Sequence, residues 1–62
     1  MKAIIKLTNS DHEEILIGVA QIISVQHVNK SGLTKIQSVG AMVTTSFVLQ
    51  TVEEIYEQIN NN

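Results

Sequence analysis

The sequence predicts an α+β domain, with four to five strands in an antiparallel sheet or meander and one short C-terminal helix packed on it. Three observations lead there. Thr51 and Glu54 have the S/T-x-x-E spacing of a helix start, directly ahead of an apolar stripe. The segments before it are rich in β-branched residues, several of them alternating with polar ones. Turn formers also recur about every 8 to 12 positions, as in an antiparallel meander.

Residues 2–8 alternate, with Ala3, Ile5 and Leu7 on one side and Lys2, Ile4, Lys6 and Thr8 on the other, the pattern of a half-buried strand. Asn9-Ser10-Asp11-His12 is a cluster of turn formers. Beyond it, Glu14-Ile15-Leu16-Ile17 reads as a second strand ending at Gly18, so the first two strands make a hairpin. The same region also supports a helix over residues 11–24, because Asp11 and Glu14 have capping spacing and Ile15, Leu16, Val19, Ala20, Ile22 and Ile23 fit one broad face. Gly18 and the many β-branched residues favour strands instead.

Residues 22–28 form a third expected strand and Asn29-Lys30-Ser31-Gly32 a turn. Residues 33–39 make a fourth strand, broken by Gly40 and Ala41. Over residues 43–49, Val43, Thr45, Phe47 and Leu49 fall on one side and Thr44, Ser46 and Val48 on the other, giving a fifth. The helix then starts behind Thr51, whose hydroxyl accepts from the Glu54 amide while the Glu54 carboxylate accepts from the Thr51 amide. Glu53 and Glu54 in its first turn suit the positive end of the helix dipole. Val52, Ile55, Tyr56 and Ile59 follow at i, i+3, i+4 and i+7. Such a helix is shorter than the roughly 12 to 15 residues that persist alone in water, so that stripe needs a sheet or another chain against it. Residues 1–59 are expected to form one domain, with 60–62 as a frayed tail.

A chain of 62 residues buries only about 60% of the surface its unfolded form exposes, so its stability is marginal. Disulfides, metals or self-association usually compensate, and this chain has no cysteine. Thiol-free composition is compatible with a cytoplasmic location, which is the expectation here. Residues 1–6 carry two lysines and no apolar run of the length a secretory signal needs. The longest uncharged run, residues 36–52, is interrupted by Ser, Thr and Gln, so membrane insertion is not expected.

The net charge of −2, with Lys2, Lys6, Lys30 and Lys35 as the only cations and no arginine, disfavours nucleic-acid binding, which depends on clustered basic side chains. Four matched stretches carry a likeness. They are Ile5-Lys6-Leu7-Thr8, Ile22-Ile23-Ser24-Val25, Gly32-Leu33-Thr34-Lys35-Ile36 and Val48-Leu49-Gln50-Thr51-Val52-Glu53-Glu54-Ile55. In these the chain resembles short bacterial flagellar motility proteins of the FlbD or SwrD type. Where such proteins often have Asn-Gly between the last two strands, this chain has Ser38-Val39-Gly40-Ala41, and their Glu-Ser at the helix start is Gln50-Thr51. The resemblance implies a small non-enzymatic protein and brings no catalytic residue with it. A weaker likeness, to the β-rich DNA-binding module of LytTR regulators, meets the missing arginines.

No catalytic, metal or cofactor site is expected. Asp11-His12-Glu13-Glu14 is the one dense group of ligand types, but neighbouring residues in an extended chain point apart, so a solvated turn explains it better. His27 has no acid at a fixed local spacing, and none of Ser10, Ser24, Ser31, Ser38 or Ser46 sits in a nucleophile motif. Gly18, Gly32 and Gly40 are isolated and read as turn positions with positive φ. Glu53, Glu54 and Glu57 read as the solvated side of the helix.

What stands out is an absence of charge. Residues 36–52 contain no ionic side chain, and the chain has no proline, the devices that usually blunt a strand edge. One helix covers one side of a sheet. The face carrying Val43, Thr45, Phe47 and Leu49 is therefore expected to meet another copy of the chain, making a homo-oligomer, or another protein. A small regulator that binds nucleic acid through its strands is the alternative.

Overall fold

The computed structural model describes residues 2–61, so Met1 of the expected domain and Asn62 of the expected tail lie outside the described residues. Five strands and one helix follow in the order β1 (Ile4–Thr8), β2 (Glu14–Gly18), β3 (Ile22–His27), β4 (Thr34–Val39), β5 (Val43–Val48) and α1 (Val52–Asn60), with a single 3₁₀ turn, Val19–Gln21, between β2 and β3. The α+β class is as expected, and residues 11–24 are strand, turn and strand rather than helix.

Instead of one sheet, the strands make two: the hairpin β1-β2 and the meander β3-β4-β5, antiparallel throughout. The division falls at Gly18. There the chain leaves the β1 ladder, and the 3₁₀ turn redirects it, held in place by the Val19 amide donating to the Ala3 carbonyl at 2.9 Å. A single bridge, Asn9 to Val48, joins the two sheets where the ends of β1 and β5 meet. It is flanked by Ser10 N–H donating to Phe47 O and Leu49 N–H donating to Thr8 O, both at 2.9 Å.

Alternation sorts the side chains as their pattern requires. Ile5 and Leu7 of β1, Ile17 of β2, Ile36 of β4, Val48 of β5 and Ile55 of α1 form the core, with Ile15, Val19, Ile22, Val25 and Ile59 packed around it. Ala3 precedes β1 and is exposed, not buried beside Ile5. Thr34 is the one polar residue in the core among those described, and its hydroxyl donates to the Gln50 carbonyl at 2.6 Å. That bond matters because an unpaired buried hydroxyl costs roughly 1 to 3 kcal/mol.

The helix begins with both halves of the expected capping box: Glu54 N–H donates to Thr51 Oγ1 at 3.0 Å, and Thr51 N–H donates to Glu54 Oε1 at 2.8 Å. The apolar stripe is narrower than its sequence spacing indicates. Ile55 is buried and Ile59 packs on the core, whereas Val52 and Tyr56 are exposed, Tyr56 to 68%. Tyr56 therefore stands outside the covered part of the expected stripe, because α1 meets β1 and β3 along a ridge rather than a broad face. The helix also runs through Asn60, whose side-chain amide donates to the Tyr56 carbonyl, so the expected tail is helical at its start.

Positive φ occurs at Gly32 (75°) and at His12 (65°), while Gly18 is extended and Gly40 lacks positive φ, contrary to the expectation for those two glycines. Around His12 the turn is organised by Asn9, whose Oδ1 accepts from the Asp11 and Glu13 amides at 3.0 and 2.9 Å. An asparagine side chain used this way imitates a backbone turn and supports the left-handed residue beside it.

Candidate interaction surface

Three of the residues expected to carry interaction lie on β5, where the antiparallel pairings with β4 place them, and Leu49 follows directly after its end. Thr34, Ile36 and Ser38 of β4 stand opposite Val48, Ser46 and Thr44, and of these Thr34, Ile36 and Val48 are buried. The intervening pairs, Lys35 with Phe47, Gln37 with Thr45 and Val39 with Val43, therefore share the outer face. Val43 is 57% exposed, Phe47 41% and Leu49 42%, and Thr45 is exposed as well. All four expected residues are on the surface and in line.

Two further residues belong beside them. Val39 is 44% exposed and Met42 74%, so the turn between β4 and β5 presents an apolar tip around Gly40 and Ala41. The expected site stopped at Val43. The run Val39-Gly40-Ala41-Met42 was a readable signal, because an apolar stretch around a glycine break puts apolar side chains at the tip of a hairpin.

The edges of the sheets are protected to different degrees. The edge of β1 away from β2 is occupied by side-chain and backbone donors and acceptors: Gln50 Oε1 accepts from Thr8 N–H at 2.9 Å, and Gln58 Nε2 donates to Lys6 O at 3.1 Å. Just before it, Lys2 N–H donates to Ile59 O at 3.0 Å. The strand β3 carries a register shift between Ile22 and Ser24, a bulge that disrupts an edge. The outer edge of β2 has no backbone partner among the described residues, and its one charge, Glu14, lies 3.2 Å from the Lys6 ammonium across the hairpin. The outer edge of β5 has neither charge, bulge nor cover over residues 43–46 among the described residues.

The other groups weighed in the sequence do not assemble. Asp11, His12 and Glu13 lie exposed in the Asn9 turn, where the Glu13 carboxylate accepts from the Asn9 side-chain amide at 3.2 Å. Among the described residues no group of three or more His, Asp or Glu side chains is close enough to hold a metal ion. The Ser24 hydroxyl donates to the Gln37 amide oxygen at 3.1 Å, an acceptor too weakly basic to activate it, and Ser31 Oγ accepts from the Leu33 amide. His27 is exposed at the end of β3.

A recess of about 100 Å³ between α1 and β3, lined by Val25, Val52, Ile55, Tyr56 and Ile59, is well below the roughly 300 to 1,000 Å³ of small-molecule sites. A shallow depression of about 720 Å³ over Thr51, Val52, Glu53, Glu54, Tyr56 and Glu57 is larger, but every residue lining it is exposed, so it encloses no ligand. Among the described residues no helix is long and apolar enough to cross a membrane.

Fold and surface together define a small α+β protein whose most developed surface feature is an apolar, uncharged outer strand with its hairpin tip. Comparison of the chain with protein-family models, with curated proteins and with solved structures gave no significant match to any of them.

Proposed function

We propose that this chain is a non-enzymatic protein-interaction module of the cytoplasm that works by self-association through β5. The observation that carries the reading is the exposure of Val43, Phe47 and Leu49, joined by Val39 and Met42, within the uncharged run of residues 36–52. Isolated exposed apolar residues are ordinary, but a contiguous group on an unprotected strand is the kind of surface that a protein partner covers. A domain this small also gains from association, because apolar area buried between copies adds to a core of few residues. The likeness to flagellar motility proteins supports a role without catalysis and places motility among the pathways to test.

Size-exclusion chromatography with light scattering tests the reading. The expected result is a mass above that of the 6.8 kDa chain at high micromolar concentration, falling on dilution. Replacing Val43 and Phe47 together by Ser shifts the equilibrium toward the monomer. A strict monomer at every concentration sinks the proposal.

A further inference from the structure

We infer that two copies join edge to edge through β5, in antiparallel register with Thr44 opposite Thr44, to make one continuous six-stranded sheet. This rests on the self-association reading above and specifies its geometry.

The backbone fixes the register. Phe47 and Leu49 exchange hydrogen bonds with Ser10 and Thr8 on the outer side of β5, so odd-numbered residues direct their N–H and C=O groups to that edge. By the same alternation Val43 and Thr45 point outward too, and among the described residues no backbone bond reaches them there. In an antiparallel pair, outward residues must face outward residues. Val43 facing Thr45 of the copy, with Thr45 facing Val43, gives two complete hydrogen-bonded pairs around a central Thr44 pair. Thr45 facing Thr45 would set Val43 against Phe47, whose carbonyl already accepts from Ser10. Val43 facing Val43 would set Thr45 against Ala41, which lies in the turn after β4. The Thr44-centred register alone uses both free residues twice.

The same bounds select the occupant. Any strand on this edge meets Ser10 at the position opposite Phe47, so only a segment that turns away there fits. A second β5 does so, because its residues 40–42 form the turn leading back to its own β4. Charge agrees: residues 36–52 are uncharged, so no like charges meet along the seam.

Single cysteines test this directly, since the chain has none of its own. Thr44 opposite Thr44 is a non-hydrogen-bonded pair, with Cα atoms about 4.5 Å apart, within disulfide range. Thr44→Cys is expected to form a disulfide-linked dimer under a mild oxidant at micromolar concentration, and Phe47→Cys, far from its counterpart in this register, at least tenfold more slowly. Thr45→Pro removes a donor used only between copies. It is expected to weaken association at least tenfold while the circular dichroism spectrum is retained. A wild-type chain that is monomeric overturns both proposals. A wild-type chain that self-associates, with Thr44→Cys cross-linking no faster than Phe47→Cys, overturns the edge register and leaves association through the outer face.

Discussion

At the residue scale, two turn positions show how much a single backbone angle determines. Gly32 closes the turn between β3 and β4 at φ 75°, with its amide donating to the Val28 carbonyl. A side chain there meets no neighbouring atom, so the cost of Gly32→Ala is conformational, about 1 to 2 kcal/mol. Gly40 differs. Its surroundings are equally open but its φ is not positive, so Gly40→Ala only restricts the unfolded chain and is expected to stabilise by about 0.4 to 1 kcal/mol. Thermal melts of the two variants should move in opposite directions. His12 is the converse case, a left-handed residue with a side chain, and His12→Gly is expected to stabilise by about 0.5 to 1 kcal/mol once the extra freedom of glycine is deducted.

At the scale of elements, α1 acts through its ends and one ridge. Removing the Thr51 hydroxyl leaves the Glu54 amide without its acceptor, and Thr51→Ala is expected to cost about 0.5 to 2 kcal/mol in urea unfolding. The loss extends beyond the helix, because Gln50 and Gln58, on either side of the cap, both reach β1. A frayed first turn would loosen that edge as well. Faster amide exchange at Thr8 than at Leu7 in Thr51→Ala is the corresponding observation, since the Thr8 amide depends on the Gln50 side chain.

For the whole molecule, six apolar residues make the core among those described, and a domain of this length has a stability of roughly 3 to 9 kcal/mol at 0.05 to 0.15 kcal/mol per residue. Ile36, 1% exposed at the centre of the meander, connects both sheets and the helix through that core. Ile36→Ala is expected to cost about 2 to 5 kcal/mol, enough to unfold much of the population at 37 °C. Association counters this by mass action, so the melting temperature of the wild-type chain should rise with protein concentration. A melting temperature independent of concentration over two decades would contradict self-association without any chromatography.

All the strands and the capped helix could be read from the amino-acid order because each depends on neighbours in the chain. Alternation placed Ile5, Leu7 and Val48 inward and Val43, Thr45, Phe47 and Leu49 outward, and Thr51 with Glu54 marked the start of α1. Tyr56 and Val52 were misplaced for the opposite reason. Helical spacing says which residues share a side, but the width of the surface against them depends on distant strands. The covering of β1 by Gln50 and Gln58 comes from contacts between residues more than forty positions apart, and the division into two sheets from the bond between Val19 and Ala3, also distant in the chain. Local order along the chain thus determined which segments are strands and helix. Only tertiary packing decided which backbone edges were covered and which were left for another molecule, because an edge is open or closed by whatever the rest of the chain brings to it.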